Sequence, residues 1–149
     1  MKQLISFFDR SKGKWISQRT TYKLSNKKMN SLQSRMIIKP DQLSSNSQLI
    51  TLLKWGKISR KIIKDLNNQN IGNENCKFHL RFTNQFNTKQ LVTLCSITDT
   101  SLLTFKTRYG TTTVDETYWF ATNNLRLSTS IIKRFNVCVA VSFCSEIKV

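Results

Sequence analysis

One histidine, one proline, four glycines and eight acidic residues among 149 positions leave several chemistries without their parts. His79 cannot build a zinc site with Cys76, Cys95, Cys138 and Cys144, because no two of these cysteines form a C-x-x-C pair. A Cys-His nucleophile, a Ser-His-Asp triad and a glycine-rich phosphate loop are equally short of residues. Cys138 and Cys144 are six apart, so on one strand they face the same side about 20 Å apart, beyond disulfide reach. The cysteines therefore read as free thiols, small core residues in a reducing compartment. No run of about 18 apolar residues occurs, and Asp9 and Arg10 interrupt the opening apolar stretch. Neither membrane insertion nor a cleaved leader is expected.

What is present suits a globule. The chain is 39% hydrophobic and 10% aromatic, enough to fill a core, and its length is that of a single domain over residues 1–149. The formal charge of +16, from 24 basic and 8 acidic residues, is the strongest compositional signal. Lysine and arginine neutralise phosphate, so an RNA-binding role is one reading. The cations, however, are spread from Lys2 to Lys148, and no helix-turn-helix or RNP-type aromatic motif accompanies them. An acidic partner protein or a dianionic ligand accounts for the charge equally well.

The residue pattern is mostly of period two. After a short helix at Gln3–Arg10, strands are expected at Trp15–Leu24, Ser34–Ile38, Gln48–Trp55, Lys77–Phe86, Leu91–Ile97, Leu102–Tyr109, Thr111–Ala121, Leu125–Phe135 and Val137–Lys148. Ile58–Leu66 carries helical spacing but fits a strand as well, and Asn67–Asn75 reads as a mobile loop. Strands this frequent argue an antiparallel sandwich or barrel. The last strand alternates Val137, Val139, Val141, Phe143, Ser145 and Ile147 with Cys138, Ala140, Ser142, Cys144, Glu146 and Lys148. The second, smaller face either leaves room for a ligand inside a barrel or packs under another element.

Two constellations stand out. Gly13-x-Trp15 after a short helix matches the opening of a first barrel strand, where a Trp closes the floor and a late Arg lies over it. Asp115–Ala121 and Leu125–Ser130, joined at a Thr-Asn-Asn turn, read as a hairpin with Glu116 and Arg126 on one side. A carboxylate and a guanidinium aimed into one cavity could hold a ligand, or could simply form a structural ion pair.

Three segments together resemble the CpcS/CpeS family of phycobiliprotein lyases. They are F-F-D-R-S-x-G-x-W-x-S-Q-R-T-T at Phe7–Thr21, W-F-A-x-x-N-L-R-L at Trp119–Leu127 and S-F-C-S-E-I at Ser142–Ile147. The resemblance spans nearly the whole chain, loosely between about residues 30 and 100. It implies an all-β, lipocalin-like antiparallel barrel of about ten strands with a short N-terminal helix. It further implies an enzyme with no prosthetic group that binds a bilin, phycocyanobilin or phycoerythrobilin, and attaches it through a thioether to a cysteine of a phycobiliprotein apo-subunit. In that setting Glu116 is the catalytic carboxylate at the pyrrole nitrogens, and Arg126 holds the bilin. Arg19, Trp119, Ser128, Ser130 and Trp15 complete the binding set. The chain departs from the family at Ser128, where an Arg is usual, and at Tyr22, where a His is usual. The resemblance and the Lys-, Asn- and Ile-rich composition suggest a plastid stroma, with a cyanobacterial cytoplasm as the other location. A non-catalytic bilin carrier and a homodimer are both compatible with these residues.

Overall fold

A computed structural model describes residues 2–40, 50–55, 58–64, 75–83, 88–98 and 100–149. One helix, α1 (Lys2–Ser11), precedes ten strands: β1 (Gly13–Lys23), β2 (Lys28–Pro40), β3 (Ile50–Trp55), β4 (Ile58–Lys64), β5 (Asn75–Thr83), β6 (Thr88–Ile97), β7 (Leu103–Tyr109), β8 (Thr112–Thr122), β9 (Leu125–Arg134) and β10 (Val137–Lys148). Each strand pairs antiparallel with its neighbours in sequence, and β1 pairs with β10, closing the barrel. Closure joins the first strand to the last, although β3 pairs with only Met36–Pro40 of β2 and β7 with only Thr93–Ile97 of β6.

The differences from the sequence reading have local causes. Ile58–Leu66 fits two periods, and pairing to β3 and β5 makes it β4 as far as Lys64. The second strand begins at Lys28, six residues before Ser34. Its first residues, including Asn30, Ser31 and Gln33, are exposed and polar, so their strand character comes from pairing with β1 and not from an apolar pattern. Residues 48–49, 84–86 and 67–74, which the sequence assigns to strand ends and a loop, lie outside the described residues.

The strand directions give the barrel two ends. Helix α1, Thr98 and Thr100–Leu102 between β6 and β7, and the Asn123–Asn124 turn lie at one, the floor. The turns Leu24–Lys27, Gly110–Thr111 and Phe135–Asn136 lie at the other, the mouth. Phe135 and Asn136 have φ of 49° and 63°, the two left-handed residues of a tight hairpin whose twist suits the flanking strands.

At the floor, Trp15, Met36 and Ile38 form a buried cluster against which Phe120 packs. The Phe7 ring lies 4.9 Å from that of Phe120, and Trp15 Nε1 donates to the Ser11 carbonyl at 2.8 Å. Helix α1 thus seals this end through both ring packing and a hydrogen bond at its C-terminus. Gly13 makes the turn from helix to strand at φ +127°, and a Cβ there would come 2.8 Å from Lys148 Cε. The variant Gly13→Ala is expected to lose about 1–3 kcal/mol, because the strained backbone remains even if the lysine moves aside. A lower urea midpoint at unchanged slope would register this; an unchanged midpoint would show that the backbone relaxes.

Candidate functional site

Side chains alternate in and out along each strand, and the antiparallel registers align the inward ones in rows. Nearest the floor, the row runs Ser17, Glu146, Arg126, Phe120. The next runs Arg19, Cys144, Ser128, Tyr118, Leu103, and the one above it Thr21, Ser142, Ser130, Glu116, Phe105. The floor row carries a fixed ion pair, and the two above carry one cation, one carboxylate and small side chains on one side, with Tyr118, Leu103 and Phe105 on the other.

In the floor row Arg126 Nε donates to Glu146 Oε2 at 2.5 Å and its NH1 to Ser11 Oγ at 2.9 Å. The guanidinium also lies 5.1 Å from the Trp15 ring centroid and 5.6 Å from that of Tyr118. Glu146 is completely buried. Two charges removed from water persist only when each satisfies the other and the remaining donors find acceptors. Ser11 extends the arrangement into α1, where its hydroxyl donates to the Phe7 carbonyl at 2.8 Å. Helix and barrel floor are therefore held by one polar network.

In the second row, Cys144 Sγ and Ser17 Oγ share a hydrogen bond of 3.1 Å. Burial lowers the Arg19 pKa, but Tyr118, Cys144 and Glu116 around it outweigh burial and raise it above its ordinary value. Its positive charge is thus permanent. The Tyr118 hydroxyl donates to Glu116 Oε1 at 3.0 Å, which joins the second row to the third. Glu116 is buried, as are Ser128 and Ser130, and the Ser130 and Ser142 hydroxyls are hydrogen-bonded to each other.

Glu116, Arg126, Arg19, Ser128 and Ser130, all expected from the sequence, share the inner face. Glu116 and Arg126 do not meet, however. Glu116 stands opposite Ser130 and Arg126 opposite Phe120, so four residues of strand rise, about 13 Å, separate their rows. The partner of Arg126 is Glu146 instead. Trp15 also points inward, but it lies beneath the floor row, with Arg126 above it and Lys148 Nζ 5.4 Å from its ring. It supports the site and does not line the upper rows. Trp119 needs a correction. It lies half-buried opposite Leu127 on the outer face, because strand alternation turns Glu116, Tyr118 and Phe120 inward. Tyr118 takes the inner place that the motif assigned to its neighbour. The alternation of β10 already placed Glu146 beside Cys144 on one face; the missing step was that a buried Arg126 needs a counter-charge.

Comparisons with known proteins show the family and the fold. A model of the CpeS-like protein family matches residues 3–66 and 72–149. The chain is 83% identical over 149 residues to a chromophore lyase CpcS/CpeS homolog of Porphyra purpurea, covering all of both chains. It is 64% identical, again over the full length of both, to a chromophore lyase CpcS/CpeS homolog of Pyropia yezoensis. Among solved structures it is similar in fold to the S-type phycobiliprotein lyase CPES of Guillardia theta, with a TM-score of 0.69 at 18% identity over 98% of this chain and 92% of that one. A closed ten-stranded barrel sealed by an N-terminal helix, a family model spanning almost every residue and two relatives matched end to end lead to one conclusion: this chain belongs to the CpeS-like family.

Proposed function

We propose that this protein is a chromophore lyase that takes up a bilin inside its barrel and joins it by a thioether to a cysteine of a phycobiliprotein subunit. The observation that carries the reading within the molecule is the pairing of rows two and three. There a permanent cation, Arg19, and a carboxylate held by Tyr118, Glu116, stand on an inner wall that combines small side chains (Thr21, Ser128, Ser130, Ser142 and Cys144) with Leu103, Phe105 and Tyr118. An open-chain tetrapyrrole needs both signs of charge. Its pyrrole N–H groups suit a carboxylate acceptor that favours the protonated, cationic form, and its propionates suit a guanidinium. Glu116 serves the first need and Arg19 the second. Arg126 has five N–H donors, of which Glu146 and Ser11 take two, so it can meet a propionate that reaches the floor.

The lyase contributes orientation and electrostatics, and the acceptor protein contributes the nucleophile. The acceptor thiolate adds to the ring-A ethylidene carbon, forming the S–C bond, while the electron pair of the double bond takes up a proton at the tetrapyrrole. Nothing is oxidised or reduced. No prosthetic group enters, and the bilin, phycocyanobilin or phycoerythrobilin, is substrate. The red-algal sources of the full-length relatives support a plastid stroma as the place of action. Ser128, where the family usually has Arg, favours a second reading as a bilin carrier, since it removes a possible propionate partner from the second row.

One experiment separates the two. The purified protein is titrated with each bilin by absorbance, and an apo-phycobiliprotein subunit is then added. A red-shifted complex, followed by colour that survives denaturation of the subunit and forms faster than with bilin alone, is the expected result and identifies the bilin. A red-shifted complex with no acceleration would leave a carrier, and no spectral change with either bilin would exclude both readings.

A further inference from the structure

We propose that the mouth of the barrel is the docking surface for the acceptor protein, and that it fits an acidic protein surface bearing apolar side chains. This inference rests on the lyase reading, because the mouth is the end through which a bilin held in the upper rows meets its acceptor.

The observation is a concentration of unlike features at one end. Leu24, Met29, Tyr109, Phe135 and Val137 are 44%, 69%, 50%, 69% and 65% exposed, and all lie on or beside the three described turns of the mouth. A monomer has little reason to leave so many large apolar groups in water on one rim. The apolar surface continues down the outside of β1, β9 and β10 as a groove of about 490 Å³ that includes Tyr22, Ile131, Val141 and Phe143. Between these side chains stand Lys23, Lys27, Lys28, Arg108, Lys133 and Arg134. The acidic residues described elsewhere are remote or internal, with Asp9 on α1 at the floor and Glu116 and Glu146 inside the barrel. Among the described residues, Asp115 is the one outward acid towards this end, and Lys133 Nζ holds it at 3.1 Å.

This combination chooses among occupants. A second copy would bring another +16 chain and the same basic rim, so like charges would oppose the contact. A nucleic acid would use the cations but not the exposed aliphatic groups, since bases stack on aromatic faces and phosphates need only charge. A protein surface with carboxylates around an apolar centre uses both, in the usual arrangement of apolar core and polar rim.

The test uses the full chain carrying Arg134→Glu and Phe135→Asn together. Asparagine accepts the left-handed conformation of position 135, so the turn is kept. A control, Lys14→Glu, makes the same charge reversal on an exposed residue near the floor. Wild type is first assayed with bilin and apo-subunit; failure there would refute the lyase reading itself, and the docking proposal with it. Given transfer, the double variant is expected to bind bilin with an unchanged spectrum. Its KM for the apo-subunit should rise about tenfold or more, with kcat little changed and a weaker dependence on salt. Lys14→Glu should leave KM as it was. An unchanged KM in the double variant would overturn the docking proposal while leaving the lyase reading intact. So would a wild-type dimer that the double substitution dissociates, seen by sedimentation, or tight binding of a labelled RNA oligonucleotide that the same substitution abolishes.

Discussion

Glu146→Gln is expected to destabilise the barrel by about 3–5 kcal/mol, the typical consequence of leaving a buried charge without its partner. For a chain of this size that is a fall in melting temperature on the order of 10 °C. Glu146 is completely buried and Arg126 nearly so; they meet at 2.5 Å, and the same guanidinium donates separately to Ser11 of the helix at 2.9 Å. Glutamine keeps the shape and one acceptor but removes the charge that makes a buried guanidinium tolerable. The double variant Arg126→Met/Glu146→Leu should recover most of the loss, because apolar groups of similar size pack where the pair stood and no charge is left behind. Thermal denaturation of the three proteins decides the matter. A single variant within about 1 kcal/mol of wild type would mean that water reaches the pair.

Glu116→Gln should act in the opposite sense, sparing the fold and removing the chemistry. Glutamine still accepts the Tyr118 hydroxyl through its carbonyl oxygen, so the 3.0 Å link between rows is retained. It carries no negative charge to favour a protonated tetrapyrrole. The expected outcome is loss of the red-shifted absorbance of bound bilin and a transfer rate lower by about 10²–10³, the scale on which a single preorganised electrostatic group acts. Tyr118→Phe, which removes only a hydrogen bond to the carboxylate, should have a smaller effect of the same kind. If Glu116→Gln left spectrum and rate unchanged, the charge state of the bilin would be set elsewhere, with Arg19 and its neighbours the next residues to test.

The barrel was legible in the sequence because its signals are local. Alternation in β8, β9 and β10, the Asn-Asn and Gly turns and the Gly13-x-Trp15 opening each depend on residues within a dozen positions of one another. β2 was read short because residues 28–33 are exposed and show no alternation of apolar and polar side chains, so their strand character comes from β1, a neighbour that such a stretch does not announce. The inner face that carries the candidate site was legible in the sequence, and its geometry less so. Strand parity put Glu116 and Arg126 on one face, but the choice between a shared cavity and separate rows depends on register across β8, β9 and β10, and on Glu146 twenty residues beyond Arg126. Trp119 shows the cost of letting a motif outrank parity. Its neighbours Glu116 and Tyr118 already fixed it on the outer side.

The seam between β1 and β10 bears on how the molecule comes into being. Ser17 and Cys144 bond across 127 positions of chain, so the ring closes only when its last strand has been synthesised. Until then β1 lacks one of its two neighbours and β9 waits for β10, while Arg126 stands without Glu146. Contacts so distant along the chain form slowly, and the interval before they form is the one in which a nascent sheet is open to pairing with the wrong strand. A tetrapyrrole that bound across the seam, touching Arg19 on β1 and Glu116 on β8, would favour the closed ring over the open one, so the cargo would act as a folding template for its own carrier.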